Sequence, residues 1–328
     1  MKTSFITIAA LFAVCSLHAQ SDTMKVWSKY DFVAGDKIIF EDNLAGEKTG
    51  EFPSRWKLAR GAAENAVMGG APVLSFSMPN SEVAPRMKTE NYLPEIFTIE
   101  FDVYFFNKGN EMYTLDFGGK SDEISIRMVK LSYAGISGEF PRTSVGWHHV
   151  AVSFNKRALK VYFDQDRVLN IPDVVEPPKH FSVRALSGGA AKGEPSVIRN
   201  IRVAEGGVSL YDRITADGRF TTRGILFDSG KSTIKPESMG TLNEIAKLMK
   251  DHPELKFSVE GHTDSDGDEA PNMKLSQERA EAVKKALADL GTDASRMQTK
   301  GWGESKPVDE NTSPEGKANN RRVEFIKL

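Results

Sequence analysis

The sequence predicts a two-domain protein in which an all-β sandwich precedes a smaller α/β domain. The chain has 328 residues, about twice the usual length of a single domain. Up to about residue 205, short runs of alternating apolar and polar residues are separated by Gly, Pro and Asn/Asp. From residue 219 onward, helical apolar stripes alternate with short strand patterns, which favours helices packed on a sheet.

The first 19 residues have the pattern of a secretory signal peptide. Lys2 precedes an apolar run over residues 5–17, and Ala19 is a small residue at the expected cleavage point. The run is shorter than the roughly 18 apolar residues that a membrane-spanning helix needs. Cys15 is the sole cysteine, and Phe12 and Val14 do not suit a lipid-modified cysteine. We therefore expect an exported protein without a disulfide or a cysteine zinc site.

The charge balance argues against nucleic acid as a partner. The chain has 43 basic and 45 acidic residues, for a formal net charge of −2. Proteins that bind nucleic acid carry a basic patch or an excess of basic residues. Neither this balance nor the ordinary globular composition predicts such a surface.

Residues 25–205 are predicted to form the β-sandwich. In residues 97–105, Phe, Ile and Val occupy every second position, so one face of this strand is apolar. Residues 149–154 and 158–164 repeat the pattern. Strands of this kind usually pair into two packed sheets. Residues 206–218, which contain a Gly-Gly pair, are predicted to be a linker with one helical turn near residues 210–214.

Residues 219–328 are predicted to form the α/β domain, with helices on one side of a sheet. The order is β-α-β-α-β, followed by a loop with a short helix and a last strand. Pro236 opens the first helical stripe, and Gly291 ends the second. The predicted elements are helices over 236–251 and 272–290, and strands over 225–227, 255–259, 297–301 and 323–328.

The sharpest functional pattern lies in this domain. Gly-His-Thr-Asp at 261–264 follows the central strand, so Asp264 lies at the strand's carboxyl end. Arg279 falls on the apolar stripe of the following helix, where a cation is costly unless it meets an anion or a polar ligand. We expect the two side chains to flank one pocket. The alternative is an internal Asp264–Arg279 salt bridge that only holds the fold.

These motifs resemble the peptidoglycan-binding domain of the OmpA family. The resemblance covers about 110 residues and includes residues 224–232, Leu-Ser-X-X-Arg-Ala at 275–280 and Asn-Arg-Arg-Val at 320–323. It implies binding of the diaminopimelate of the peptidoglycan stem peptide, with its ammonium on Asp264 and its carboxylate on Arg279. The further family positions around the ligand match Thr263, Asn272 and Arg321. Gly230 is a departure, since many relatives have Asn there.

The sandwich has a second resemblance. Residues 146–154 and 159–164 are similar to a core hairpin of laminin-G and concanavalin-A-like jelly rolls, with Trp147 as a framework residue. This resemblance implies a jelly-roll fold that binds carbohydrate or protein. Glycoside hydrolases of the same superfamily carry Glu-X-Asp-X-X-Glu on one strand, but here Glu100 and Asp102 are followed by Phe105. We expect no catalytic residue, and we expect Glu100 and Asp102 to face solvent.

Three other patterns predict no metal or cofactor site. The acidic run at 264–268 lacks the Gly and Glu positions of an EF-hand loop. Gly-Lys-Ser at 230–232 has the wrong spacing for a phosphate-binding loop. His148 and His149 are adjacent in a strand, so their rings diverge. We expect one ring to pack inward and the other to reach solvent.

Together these patterns predict a non-enzymatic, exported protein of the cell envelope. It would lie in the periplasm in association with the outer membrane and bind peptidoglycan through its C-terminal domain, while the sandwich binds a glycan or an envelope protein. Two alternatives stay open. One is a wall-anchored enzyme that cleaves glycans, and the other is a structural assembly partner of an outer-membrane complex.

Overall fold

The computed structural model describes residues 30–35, 37–106, 111–118, 123–140, 145–186, 194–206 and 210–328. The predicted signal peptide, including Cys15, lies outside these residues. Within the described ranges, no helix is long and apolar enough to cross a membrane.

The N-terminal region is all-β, as the alternating runs predict. Its described part contains two antiparallel sheets of eight and seven strands. The larger sheet has the order β13-β12-β11-β6-β15-β4-β3, with β1 also paired to β15, and the smaller has the order β10-β9-β8-β7-β14-β5-β2. The strands are β1 Lys37–Asp42, β2 Trp56–Arg60, β3 Ala63–Met68, β4 Ala71–Phe76, β5 Ser81–Pro85, β6 Ile96–Phe105, β7 Tyr113–Asp116, β8 Glu123–Arg127, β9 Lys130–Tyr133, β10 Ile136–Glu139, β11 Gly146–Asn155, β12 Ala158–Phe163, β13 Asp166–Ile171, β14 Ser182–Ala185 and β15 Ser196–Glu205.

Strand β6 shows how the sequence places the sandwich core. Its alternate residues Phe97, Ile99 and Phe101 are buried between the two sheets. The opposite face of β6 is partly covered by the C-terminal domain, and Asp102 on this face is half-buried. Glu100 on this face is only 3% exposed. The expectation that Glu100 and Asp102 face solvent is therefore wrong.

The C-terminal domain has the predicted order of strands and helices. Its sheet has the order β16-β19-β17-β18, in which only β17 and β18 are parallel. The elements are α1 Leu210–Asp217, β16 Arg219–Thr222, a 3-10 turn Pro236–Ser238, α2 Met239–Asp251, β17 Phe257–Gly261, α3 Glu269–Asp289, a 3-10 turn Ala294–Arg296, β18 Met297–Gly301, α4 Pro314–Asn320 and β19 Val323–Lys327.

Two details of this domain differ from the sequence prediction. Residues 225–227 contribute only an isolated bridge between Phe227 and Ile234, and the first strand is Arg219–Thr222. Helix α1 lies inside the predicted 206–218 linker, where it is longer than the single turn expected near residues 210–214. Leu210 and Ile214 of α1 are buried in the C-terminal core, so this segment is ordered by apolar packing.

The two domains are packed against each other. Tyr30 and Phe32, which precede β1, form an edge-to-face aromatic cluster with Tyr162 of the sandwich. All three belong to the same buried cluster as the core of the C-terminal domain. Gly240 of α2 approaches this segment so closely that an added Cβ would lie 1.5 Å from the Phe32 carbonyl oxygen. The N-terminal segment therefore fits into a space that only glycine leaves open.

Polar contacts extend this interface toward the carboxyl end of the C-terminal sheet. Arg55 forms an ion pair with Glu315 of α4. The Asn319 side chain accepts a hydrogen bond from the Ile38 backbone N–H at 3.1 Å. Contacts of this kind fix the sandwich over the end of the sheet where the predicted site residues lie.

Candidate ligand-binding site

Close packing of α3 on two strands brings the site residues together. Gly261 of β17 and Gly301 of β18 are neighbours in the parallel pair. An added Cβ on Gly261 would lie 2.2 Å from the Ser276 carbonyl oxygen, and one on Gly301 would lie 2.5 Å from the Gln277 nitrogen. Since neither glycine has a side chain, α3 lies directly against the strand ends. Residues 262–264 are thus held beside the same helix that carries Arg279.

Asp264 is a buried carboxylate that is engaged by a cation. It is 8% exposed, and Arg321 Nη1 donates to its Oδ2 at 2.7 Å. The same guanidinium pairs with Glu41 of the sandwich through Nη2. Burial by itself would lower the pKa of Arg321, but Glu41 and Asp264 together hold this pKa above its ordinary value. Arg321 therefore stays charged between one carboxylate of each domain.

Arg279 is a buried cation without an acidic partner among the described residues. It is 9% exposed, its Nε donates to the Lys231 carbonyl at 3.0 Å, and its guanidinium carbon lies 4.9 Å from the centroid of the Phe227 ring. Burial and the nearby Arg321 charge lower the pKa of Arg279, while Asp264 opposes them. No ion pair joins Asp264 to Arg279 in the described chain, where Asp264 pairs with Arg321 instead. The internal salt bridge considered from the sequence is thus not formed.

The other predicted residues line the same cavity in different ways. Thr263 is buried, and its hydroxyl has no hydrogen-bond partner. Asn272 uses its side-chain amide to donate to the Asp266 carbonyl at 3.0 Å and to Glu304 Oε2 at 2.6 Å, so it holds the 264–268 loop in place. Gly230 has a φ of +65°, a conformation that Gly adopts freely and Asn tolerates. The structure thus brings Thr263, Asp264, Asn272, Arg279 and Arg321 to one cavity.

The sandwich supplies a wall of this cavity that sequence reasoning missed. The cavity has a volume of about 790 Å³ and is lined by residues of both domains. Its sandwich wall includes Glu41, Glu100, Asp102, His149 and Arg202. Only a weak signal for this wall is present in the sequence. It consists of two acids on the polar face of β6 and a single Arg in the largely apolar second half of β15.

The two adjacent histidines diverge as predicted, but neither ring reaches solvent. His148 stacks on Phe163 at a centroid distance of 4.9 Å and pairs with Asp164 through Nδ1 at 2.8 Å. His149 lies on the other face, with its Nδ1 3.0 Å from Asp102 Oδ1. The prediction of one solvated ring is wrong because the C-terminal domain covers that face. No group of three or more potential ligand residues suited to a metal ion occurs in the described ranges.

The electrostatics of the sandwich wall favour a charged His149. Burial alone would lower the pKa of His149, but its hydrogen bond to Asp102 and the nearby Glu100 carboxylate, 3.6 Å from its Nε2, hold that pKa well above 6.5. Burial would raise the pKa of Asp102, and the contact with His149 holds it below 3.8 instead. His149 and Asp102 therefore form an ion pair, which keeps charged groups on this wall at neutral pH.

Another buried histidine, His262, is expected to make the stability of the protein sensitive to acid. Burial, together with the charges of Arg322 and Lys306, lowers the pKa of His262 from 6.5 to about 4, although Glu324 opposes this shift. Between these two pH values the unfolded chain takes up a proton that the folded chain does not, so acidification favours unfolding. We expect His262→Gln to reduce the loss of stability between pH 6.5 and pH 4. Denaturant unfolding at several pH values measures this difference, and parallel curves for the two proteins would contradict it.

Comparisons with known proteins agree with the C-terminal fold. Residues 226–321 match the family model described as "OmpA family". The chain is 46% identical over 101 residues to "Probable lipoprotein YiaD" of Escherichia coli, a match that covers 31% of this chain and 46% of that protein. It is 45% identical over 101 residues to "Outer membrane porin F" of Pseudomonas aeruginosa, which covers 30% of this chain and 29% of that protein. The chain therefore spans less than half the length of these curated relatives.

Solved structures also match about a third of the chain. One is described as the cell wall anchor of the T6SS from Pseudomonas aeruginosa, at 33% identity and a TM-score of 0.31, covering 36% of this chain and 93% of that chain. Another is the peptidoglycan-associated lipoprotein from Burkholderia pseudomallei, at 28% identity and a TM-score of 0.32, covering 37% of this chain and all of that chain.

Proposed function

We propose that residues 226–321, which form a domain of the OmpA family, bind the diaminopimelate of the peptidoglycan stem peptide and so attach the protein to the cell wall. The observation that carries this proposal is Arg279, a buried guanidinium that opens to a cavity and lacks an acidic partner in the described chain. The free end of diaminopimelate offers both an ammonium and a carboxylate. Asp264 takes the ammonium, and Arg279 takes the carboxylate.

The residues suit this zwitterion chemically. An arginine can donate two parallel hydrogen bonds to a carboxylate, which fixes both position and orientation. The free Thr263 hydroxyl supplies one more hydrogen-bonding group at the same cavity. Each charge-assisted bond contributes about 1.5–3 kcal/mol, while ordering of the ligand offsets part of this gain. A single site therefore binds only moderately, and the polymeric wall compensates through many closely spaced sites.

The proposed setting is the envelope of a diderm bacterium, with an exported protein in the periplasm near the outer membrane. The names of the matched relatives support this setting, since one is a probable lipoprotein and the other an outer membrane porin. The sandwich, proposed to be a jelly roll, would bind a glycan or an envelope protein. We do not extend the proposal to catalysis, because Phe105 points into the sandwich core where a second catalytic Glu would be needed.

Sedimentation with isolated sacculi tests the proposed function. The purified protein is expected to pellet with sacculi, and free diaminopimelate is expected to release it in a concentration-dependent manner. Release by lysine at the same concentrations would show that simple charge attraction causes the pelleting. A protein that stays in the supernatant at low ionic strength would contradict the proposal.

A further inference from the structure

The sandwich wall contains a second buried arginine whose hydrogen-bond donors are not satisfied. Arg202 is 7% exposed, and its Nη2 donates to the Arg223 carbonyl of the C-terminal domain at 2.8 Å. Its Nε and Nη1 have no hydrogen-bond partner. A buried charged donor without an acceptor costs free energy, so an arginine in this state indicates a missing acceptor.

The nearest carboxylates make no hydrogen bond to Arg202. Glu41 Oε1 lies 3.9 Å from Arg202 Nε, and the other oxygen of Glu41 is held by Arg321. Glu100 is the cross-strand neighbour of Arg202, but its Oε2 faces His149 Nε2 at 3.6 Å. Among the described residues, Arg202 has no closer ion pair than the one with Glu41. The missing acceptor is therefore expected to come from outside the chain.

A second buried group without a hydrogen-bond partner lies beside Arg202, and this one is an acceptor. Glu100 Oε1 is buried and has no hydrogen-bond partner, although the His149 ring satisfies part of the Glu100 charge. An unpaired carboxylate oxygen suits an N–H donor such as a peptide amide. Arg202 and Glu100, which we call the sandwich subsite, thus present donors and an acceptor side by side on neighbouring strands.

We propose that the sandwich subsite binds the peptide portion of the ligand whose diaminopimelate end occupies Asp264 and Arg279, with a second carboxylate on Arg202 and a backbone amide on Glu100. The proposal rests on the proposed function and extends it. It is supported by the continuity of the cavity, which is lined by Arg202 and Glu100 as well as by Asp264 and Arg279. A stem peptide carries both groups that the subsite needs. The sandwich would then add selectivity for an uncapped carboxylate in the wall peptide.

The test compares two synthetic peptides that both contain diaminopimelate with its side-chain end free. One carries a further free carboxylate, and the other carries the amide of that carboxylate. Calorimetric titration of the full chain is expected to show at least tenfold weaker binding of the amidated peptide. Arg202→Gln is expected to weaken binding of the acid peptide by the same factor and to leave binding of the amidated peptide unchanged, because both changes remove one interaction.

Arg199→Gln is the matched control, since Arg199 lies on the same strand, pairs with Asp102 and does not line the cavity. It is expected to bind both peptides as the unmodified protein does. Equal affinity of the unmodified protein for the two peptides would overturn the proposal, even if Arg202→Gln fails to fold. Independent, multiplying losses from amidation and from Arg202→Gln would overturn it as well. If neither peptide binds at all, the proposed function itself fails.

Discussion

Replacing Arg279 by glutamine is expected to lower the affinity for sacculi by at least a hundredfold. The substitution removes the cation that we propose meets the ligand carboxylate, and with it two charge-assisted hydrogen bonds of about 1.5–3 kcal/mol each. Stability is expected to change little, because the buried guanidinium lacks an acidic partner in the described chain and makes one hydrogen bond to the Lys231 carbonyl. Sedimentation binding curves and thermal unfolding measure the two quantities separately.

Asp264→Asn tests the other half of the zwitterion and is expected to cause a similar loss of binding. Here Arg321 keeps Glu41 as an acidic partner, so the fold should persist. Lys285→Ala is the matched control for both variants, since it removes an exposed cation from α3, the helix that carries Arg279, and breaks only the pair with Asp289. Normal binding by both site variants would refute the assigned site. Loss of folding in both would instead favour a structural role for these two residues.

Replacing Gly240 by alanine is expected to destabilise the protein by roughly 1–3 kcal/mol or more, as overpacking of a tight interface does. A loss of stability is unusual for this substitution, because alanine inside a helix normally stabilises it by about 0.5–1 kcal/mol relative to glycine. The new methyl group would lie 1.5 Å from the Phe32 carbonyl oxygen, which belongs to the backbone and cannot rotate away. The segment that carries Tyr30 and Phe32 must therefore shift or detach.

Thermal unfolding of Gly240→Ala measures this cost, and limited proteolysis near residue 35 reports whether the segment has detached. Lys247→Ala is the control for helix propensity, because Lys247 is exposed on the same helix. An increase in unfolding temperature for Gly240→Ala would show that the segment does not pack on α2 in solution.

The sequence predicts most local structure here because each domain has a clear periodicity. The apolar alternation of β6 and the stripe of α3 follow directly from residue spacing, and the motif around Asp264 places that residue at a strand end. Strand pairing among distant parts of the sandwich does not follow from local spacing, since several registers satisfy the same alternation. The jelly-roll assignment therefore stays a prediction.

The interface could not be predicted from the sequence because it depends on contacts between very distant residues. Glu41 and Arg321 are 280 residues apart, yet they form an ion pair in the centre of the site. The polar faces of β6 and β11 have the pattern of solvent-facing strands, yet Glu100 and His149 are buried beside the cavity that both domains line. A hydrophobicity pattern records whether a face is polar, whereas the neighbour that covers it is set by the tertiary fold.

The packed arrangement of the two domains has a mechanical consequence for an anchor. Two sets of contacts join the domains: the aromatic cluster of Tyr30, Phe32 and Tyr162, and Arg321, which pairs with both Glu41 and Asp264. A force on the sandwich is therefore transmitted across this interface and not along a flexible linker. The force would then reach the proposed ligand-binding cavity through Arg321, Glu41 and Asp264, which line it. If the protein attaches to the wall as proposed, this interface would keep the spacing between its two domains fixed and would resist shear until the interface breaks.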